Sequence, residues 1–378
     1  MSVATSGQKL QQSIWTILGV VSLVGAVIAL NKMSPWVAPG ALLLGLVGMV
    51  VVAVRHRRET KIATGQAGAV DYDRLMAFSF VRYLPWIKEN VRGHDTVVDQ
   101  VFTELERNFK LAKPGHHLGA FLLTGPTGTG KTFLARLIGE ALFPNSDPIV
   151  LNMNTYKHPD DVFTLIGPPP GTPGYEVGGT LTRPVLENPY RVVIFDELDK
   201  CHRDIHHCLY DILDTARCRE KSSGKIVDFS GCIFFATSNA GVEGLRSIRQ
   251  YSSDLAVWLG RARDVLAQAG GFDKAFLSRW GRLFFMDELP PIHVAEVACL
   301  QLAKYWREYG VEVSYTSPQV ILDAVVRNKE FQEYGVRQLG AYVQAATSDA
   351  MARARQQGSK TVKLEVTGSG SLTVSEVE

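Results

Sequence analysis

Two long uncharged runs near the start of the chain dominate its hydrophobic pattern. Residues 14–30 read IWTILGVVSLVGAVIAL, and residues 36–54 read WVAPGALLLGLVGMVVVAV. A helix that spans a bilayer needs roughly 17–25 mainly apolar residues, and both runs meet that requirement. The short polar break at 31–35 would turn the chain back on itself, so the pattern predicts a transmembrane helical hairpin over residues 1–60.

Basic residues give this predicted hairpin an orientation. Lys9 precedes the first run, RHRRETK at 55–61 follows the second, and the loop holds only Lys32. The positive-inside rule then predicts a two-pass protein of the inner (cytoplasmic) membrane, with lipid contacts through residues 14–54 and the rest of the chain in the cytoplasm. A cleaved signal peptide and a buried core hairpin are the alternatives. Residues 61–72 are small and polar, which is typical of a linker.

A phosphate-binding loop follows the first strand pattern of the remaining chain. AFLLT at 120–124 is typical of a buried strand, GPTGTGKT follows at 125–132, and FLARLIGEALF at 133–143 has helical spacing. Strand, glycine-rich loop and helix form the context in which backbone N–H groups bind the phosphates of ATP. Lys131 would reach the β- and γ-phosphates, and the Thr132 hydroxyl would bind Mg²⁺. The predicted nucleotide-binding residues are Gly125, Pro126, Thr127, Gly128, Thr129, Gly130, Lys131 and Thr132.

Two further apolar runs end in polar side chains. RVVIFDE at 191–197 ends in Asp196, a predicted Mg²⁺ ligand, and Glu197, a predicted catalytic base for the attacking water. CIFFATSN at 232–239 ends in Asn239, which could position that water. Ligands of open α/β sheets bind beyond the carboxyl ends of the strands, where these side chains would meet.

Composition narrows the possible functions. The chain has 378 residues, 46% hydrophobic and 21% charged, and a net charge of +2. This near balance gives no support for nucleic-acid binding. The five cysteines lack the spacing of a disulfide framework. CHRDIHHC at 201–208 could be a zinc site, but a structural helix after the acidic strand is the preferred interpretation.

The motifs, taken together, have a family resemblance. Residues 84–345 resemble the ATPase module of Clp-type AAA+ unfoldases, specifically the second ring of ClpB-like disaggregases. The matching segments keep their order and spacing: GHDTVVDQV (93–101), GPTGTGKT, LIGPPPG (165–171), GYEVGGTLT (174–182), NPYRVVIFDELDKCH (188–202), VDF (227–229), TSNAG (237–241), FDKAFLSRW (272–280) and YGVRQL (334–339).

The resemblance implies an architecture and a shared active site. It implies an α/β P-loop AAA+ module with a parallel sheet and flanking helices at 73–285, and a small mainly helical lid at 286–378. It also implies a homo-oligomeric ring, usually a hexamer, with ATP between neighbours. Arg279 lies where the family has an arginine finger for the adjoining subunit, and Arg337 matches a lid arginine that senses the γ-phosphate.

The sequence departs from this family at the loop that grips polypeptide. The family has an aromatic residue where this chain has Thr172, followed by Pro173, although Tyr175 remains nearby. The tripeptide with which protease-coupled relatives dock a peptidase is not found in the soluble part, so no peptidase partner is expected. At the end of the chain, KTVKLEV at 360–366 and SLTVSEV at 371–377 predict a β-hairpin.

These expectations combine into one function and one alternative. The chain is expected to be a membrane-anchored AAA+ ATPase that uses ATP and Mg²⁺ in a ring to remodel, unfold or translocate protein partners. The alternative is an ATP-driven assembly factor, or a nucleotide-dependent ring scaffold of a membrane complex, that does not thread polypeptide.

Overall fold

The computed structural model describes residues 70–251, 255–322, 326, 337–366 and 372–376. All of them belong to the second of the two units of the chain, residues 65–378. The predicted transmembrane hairpin at 1–60 lies outside the described residues.

The helices of the structure contradict the predicted membrane location. None of the helices within the described ranges is long and apolar enough to cross a membrane. Even the 21-residue helix Arg337–Gln357 carries Asp349, Arg353 and Arg355 along its length. The prediction of a two-pass protein of the inner membrane is contradicted by this finding, and we withdraw it.

A five-stranded parallel sheet is the centre of the residues before 286. Its order is β2-β3-β6-β1-β7, and all four pairings are parallel. The strands of the described residues are β1 Gly119–Thr124, β2 Ile149–Asn152, β3 Val192–Asp196, β4 Arg217–Arg219, β5 Ile226–Asp228, β6 Ile233–Ser238, β7 Arg282–Phe285, β8 Glu312–Thr316, β9 Thr361–Val366 and β10 Leu372–Glu376.

Helices flank this sheet because its strands are apolar on both faces. Every residue of β1 and β6 is buried, as expected for central parallel strands. The main helices are α1 Tyr72–Met76, α2 Tyr83–Asn90, α3 Asp95–Lys110, α4 Lys131–Leu142, α5 Val162–Ile166, α6 Thr182–Glu187, α7 Arg203–Thr215, α8 Val242–Tyr251, α9 Leu255–Gly270, α10 Lys274–Arg279, α11 Pro291–Glu308 and α12 Arg337–Gln357. The predicted parallel sheet with flanking helices is confirmed.

The residues after β7 build a second, smaller core. Helices α11 and α12 pack together with the sheet β10-β9-β8, in which β9 pairs parallel to β8 and antiparallel to β10. Trp306 is fully buried there, and its indole N–H donates to the Thr347 hydroxyl over 3.2 Å. The predicted hairpin at the end of the chain is confirmed, whereas β8 was not predicted. The boundary between 285 and 286 stays a prediction.

The segment that leaves the large sheet is attached to the strand before the phosphate-binding loop. The Met286 N–H donates to the Thr124 carbonyl over 2.8 Å, and the Thr124 hydroxyl donates to the Phe284 carbonyl over 3.1 Å. A Cβ on Gly125, whose φ is 141°, would lie 2.0 Å from the Met286 carbonyl oxygen. Only glycine therefore fits at the first position of the loop.

Candidate functional site

The loop after β1 has the geometry of an anion site at a helix N-terminus. Gly125, Gly128 and Gly130 all have positive φ, so the backbone takes a path that other residues rarely adopt. Gly130 is the N-cap of α4, no side chain caps the helix there, and a Cβ on it would meet no atom within 4 Å. The first N–H groups of α4 therefore lie beside open space, as binding of a phosphate requires.

Lys131 bonds to the backbone of this loop. The ammonium donates to the carbonyl oxygens of Gly125 at 2.8 Å and Pro126 at 2.5 Å, and the residue is only 6% exposed. The Thr129 hydroxyl donates to the same Pro126 carbonyl over 3.1 Å. These bonds hold the predicted nucleotide-binding residues 125–132 in one compact turn.

The Asp196 carboxylate accepts hydrogen bonds from hydroxyl groups on two neighbouring elements. Its Oδ1 accepts from Thr132 over 2.6 Å and from Thr237 over 2.7 Å. Asp196 ends β3, Thr132 begins α4, and Thr237 lies near the end of β6. The parallel register pairs Phe195 with Ala236, so the next residues along the two strands, Asp196 and Thr237, come together. Sequence reasoning assigned no role to Thr237.

Glu197 is held in a strained backbone conformation. Its φ of 58° and ψ of 49° lie in the left-handed region, which costs a non-glycine residue about 1 kcal/mol. The Glu197 N–H donates to the Thr237 hydroxyl over 2.9 Å, and its carbonyl accepts from Lys200 over 2.9 Å in a short 3₁₀ turn. Strain held by surrounding bonds is typical of functional residues.

Asn239 directly follows β6 and is half-buried. The next residue, Ala240, donates its N–H to the Ser238 hydroxyl over 3.0 Å, which turns the chain toward α8. Asn239 therefore leaves the sheet at the same edge as Asp196 and Glu197, as the sequence predicted.

Oxygen ligands for Mg²⁺ are present at this edge. The Thr132 hydroxyl and the Asp196 carboxylate are the hard oxygen donors that Mg²⁺ prefers. Among the described residues, no group of three or more His, Cys, Asp and Glu side chains could hold a metal ion. A site with few protein ligands fits Mg²⁺, which usually keeps several waters and binds substrate phosphates.

His94 is a site residue that sequence reasoning missed. Its Nε2 lies 3.0 Å from the Thr129 carbonyl, which can only accept, so Nε2 carries the proton. Burial lowers the pKa of His94 to about 4, while the bond to Thr129 acts in the opposite direction. The neutral imidazole thus fixes the phosphate-binding loop to the start of α3. The only sequence signal was its place in the GHDTVVDQV match.

Arg279 lies away from the phosphate-binding loop, Asp196 and Glu197 of its own chain. Its Nε donates to Asp214 over 2.8 Å, its Nη1 to the Ala275 carbonyl over 2.6 Å, and its guanidinium lies 4.3 Å from the centre of the Tyr210 ring. Arg282, three residues later, pairs with Phe121 near the beginning of β1. Arg279 therefore lies where the strands begin, and the phosphate-binding loop lies where they end.

Aromatic packing fixes the helix that carries Arg279. His206 of α7 is buried and stacks on Phe276 of α10, with ring centres 4.5 Å apart. Burial lowers the pKa of His206, so the stacked ring is neutral. The second predicted arginine, Arg337, is the first residue of α12.

Comparison with known proteins identifies the domain. Residues 116–279 match the sequence model of the AAA domain family, Cdc48 subfamily. The chain is 31% identical over 270 residues to the Lactococcus lactis "ATP-dependent Clp protease ATP-binding subunit ClpE" (70% of this chain, 36% of the relative). It is 33% identical over 274 residues to the "Chaperone protein ClpB" of Nitratidesulfovibrio vulgaris (71% and 31%). A third relative, the Bacillus subtilis "Negative regulator of genetic competence ClpC/MecB", is 29% identical over 309 residues (79% and 37%).

The chain thus contains a Clp/ClpB-type AAA+ ATPase domain, and such domains bind and hydrolyse ATP. The chain spans about a third of the length of the curated relatives it matches.

Replacement of Thr237 by Val should loosen the contacts between the ends of β3 and β6. The change removes the donor to Asp196 and the acceptor for the Glu197 N–H, so we expect the free energy of unfolding to fall by about 1–3 kcal/mol. ATP hydrolysis should fall while ATP binding persists. The control is Thr124→Val, which removes one buried hydrogen bond at the end of β1 without touching Asp196. Urea titration and ATPase assays measure both effects, and equal turnover in the two variants would contradict this role.

The buried His94 predicts a pH dependence of stability. The unfolded chain takes up a proton near pH 6.5, but the folded chain does so only near pH 4, so stability falls as the pH decreases through this window. The difference amounts to about 3 kcal/mol. His94→Gln should remove this share of the pH dependence in urea titrations between pH 7 and 4. His116→Gln, which replaces an exposed histidine, is the control and should keep the wild-type curve.

Proposed function

We propose that this chain binds MgATP at the carboxyl edge of the large sheet and hydrolyses it with help from an adjoining copy in a ring. The hydrolysis would drive remodelling of a protein partner. The observation that carries the proposal is the shared carboxylate of Asp196, which joins the start of α4 to the ends of β3 and β6. Nucleotide binding, metal binding and water activation would thereby be held in one rigid arrangement.

The phosphate-binding loop would receive the triphosphate. The first N–H groups of α4 point their partial positive charge at the open space beside Gly130. Lys131 would exchange its two carbonyl partners for the β- and γ-phosphate oxygens, an exchange of neutral acceptors for charged ones. The residues proposed to hold the nucleotide are Gly125, Pro126, Thr127, Gly128, Thr129, Gly130, Lys131 and Thr132, with Arg337 contributed by the lid.

Thr132 and Asp196 would hold Mg²⁺, which supplies neutralisation of phosphate charge when bound. The Thr132 hydroxyl already faces the carboxylate at 2.6 Å, so both oxygens lie within reach of one small cation. Thr237 would keep the carboxylate in place, since it donates to the same oxygen over 2.7 Å.

Glu197 would act as the base for the attacking water. It follows the metal ligand directly, and the Thr237 bond fixes its backbone. A carboxylate at this point can accept the water proton as the oxygen attacks the γ-phosphorus. Asn239, at the end of the neighbouring strand, would orient that water through its amide.

The position of Arg279 supports a shared active site. It lies at the opposite edge of the sheet from its own phosphate-binding loop, so it cannot serve that loop. Its Nε donates to Asp214 and its Nη1 to the Ala275 carbonyl, so the guanidinium is held at that edge. An arginine supplied in trans would stabilise transition-state charge. We infer a homo-oligomeric ring, with six copies as the favoured number.

Subunit mixing tests this arrangement. Lys131→Ala should lose ATP binding, and Arg279→Ala should bind ATP but hydrolyse it about a thousandfold more slowly. A mixture of the two should regain hydrolysis, because the Lys131→Ala subunit still offers Arg279 to its neighbour. Arg282→Ala, a nearby arginine paired with Glu104, is the control and should keep its turnover. Failure of every mixing ratio to restore hydrolysis would exclude the shared site.

A specific observation favours a second candidate function, ATP-driven assembly or scaffolding without threading. The Thr172 hydroxyl donates to the Pro169 carbonyl over 2.5 Å within its own turn. Thr172 therefore offers no side-chain donor to a passing polypeptide. Tyr175 and Val177 are 40% and 67% exposed in the same loop. If polypeptide is gripped here, these two residues would make the contact.

Loop variants distinguish the two functions. Under threading, Tyr175→Ala should weaken capture of fluorescein-labelled casein by a Glu197→Gln background in ATP, because its exposed ring is lost. The matched change Thr172→Ala should have no effect. Basal ATP hydrolysis, measured with Glu197 intact, should be unchanged in both. Capture that is the same in all three proteins would favour the function without threading.

A further inference from the structure

Arg246 is surrounded by three carboxylates from two parts of the chain. Its Nε donates to Asp287 over 2.9 Å, its Nη2 to Glu288 over 2.7 Å, and its Nη1 to Glu243 over 3.0 Å. The Arg246 side chain is 27% exposed, whereas the side chains of its three carboxylate partners are between 39% and 85% exposed. One planar guanidinium thus uses all three of its nitrogen atoms on charged acceptors.

These contacts join the site to the segment that leads into the lid. Arg246 lies on α8, which begins three residues after Asn239. Asp287 and Glu288 lie between the end of β7 and α11, the first helix of the small subdomain. We call residues 286–290 the hinge segment. Arg246 therefore connects the element that follows the proposed water-positioning residue with the hinge segment.

The hinge segment also contacts the nucleotide site from its other side. Met286 bonds to Thr124, and its carbonyl lies against Gly125. A Cβ on Gly93 would lie 2.6 Å from Leu289 and 2.9 Å from His293, so the hinge segment and α11 pack on the residue before His94. A movement of the hinge segment would therefore disturb two sets of contacts of the phosphate-binding loop. One is at Gly125, where the loop begins, and the other is at His94, which bonds to Thr129.

We propose that Arg246 is a positioning residue that couples the lid to the nucleotide site. It holds the hinge segment in the angle at which the lid closes over nucleotide, and it transmits a change at the end of β6 to that angle. This inference rests on the proposed function, because it assigns a regulatory link to the same ATP site.

The proposed coupling depends on the ion pairs of Arg246. With Arg246 in place, the carboxylates of Glu243, Asp287 and Glu288 share one cation. Without it, Asp287 and Glu288 lose their bonds to α8, and the hinge segment is no longer held against that helix. A coupling element needs different contacts in its two states, and an arginine that either engages or releases the hinge carboxylates provides them.

A simple surface ion pair is the competing explanation. Exposed ion pairs contribute little to stability, and their removal changes no functional equilibrium. The chain offers a comparison in the ion pair of Arg282 and Glu104, whose side chains are 35% and 18% exposed. Both of its members lie in the large subdomain, on β7 and α3, so this pair does not reach the hinge segment.

The test compares Arg246→Ala with Arg282→Ala in the full chain. Binding of a fluorescent non-hydrolysable ATP analogue gives the dissociation constant. Hydrogen exchange, followed by mass spectrometry with and without the analogue, reports on residues 286–295 and on the phosphate-binding loop. For Arg246→Ala we expect the dissociation constant to rise about 5- to 20-fold. Nucleotide-dependent protection of the hinge segment should be lost, while that of the loop is retained at saturating analogue.

Variants of the partners complete the test. Asp287→Asn combined with Glu288→Gln should weaken binding like Arg246→Ala, and adding these changes to Arg246→Ala should weaken it no further, because the residues act as one unit. Arg246→Lys should rescue part of the affinity, since an ammonium can pair with a carboxylate but cannot reproduce the fork. Arg282→Ala should bind like the wild type.

The behaviour of the wild-type protein separates a failure of the coupling from a failure of the proposed function. If wild type binds and hydrolyses ATP, and Arg246→Ala matches it in affinity and in protection of the hinge segment, the coupling is overturned and the proposed function stands. If wild type neither binds nor hydrolyses ATP, the proposed function itself fails. Equal losses of affinity in Arg246→Ala and Arg282→Ala would also overturn the coupling, because a general loss of stability would then explain both.

Discussion

The hydrogen bonds to the Asp196 carboxylate are the interaction on which the proposed ATP site depends. Two hydroxyl groups from different elements donate to a single oxygen, one from the start of α4 and one from the end of β6. Such charge-assisted bonds are stronger than neutral ones, and they lie at the edge of a rigid sheet. The same Thr237 hydroxyl accepts from the Glu197 N–H, so one side chain fixes both the proposed base and the proposed metal ligand. A displacement of any of these residues would move the others.

A parallel sheet explains why this arrangement is possible. The strands β1, β3 and β6 end at one edge, and the residues that follow each strand emerge beside one another. The left-handed conformation of Glu197 turns the chain sharply at that edge. Arg279 lies at the other edge, where α7 and α10 hold it through Asp214, Tyr210 and stacked aromatic rings. The two edges would thus serve two different active sites in a ring.

Local patterns predicted the parts of the site that are contiguous in sequence. The strand–loop–helix pattern around 125–132 and the strand ending at Asp196 were evident because apolar runs and motif residues lie side by side. The role of Thr237 could not be predicted from the sequence, because it depends on the register between β3 and β6. The contact of Met286 with Gly125 and the cluster around Arg246 were equally inaccessible, since their members are distant in sequence. Long apolar runs gave the membrane prediction, which no helix of the described residues supports.

The strand order also constrains when the ATP site can form during synthesis. β1 lies between β6 and β7, so the first strand to be made pairs only with strands that are made much later. Its exposed edges would be unpaired until residues 233–285 have left the ribosome, and pairing between such distant segments is slow. Met286, whose N–H bonds to the Thr124 carbonyl, is made directly after β7. The growing polypeptide therefore carries an open, apolar strand while the residues between β1 and β7 are added, a stage at which it would itself need protection from aggregation.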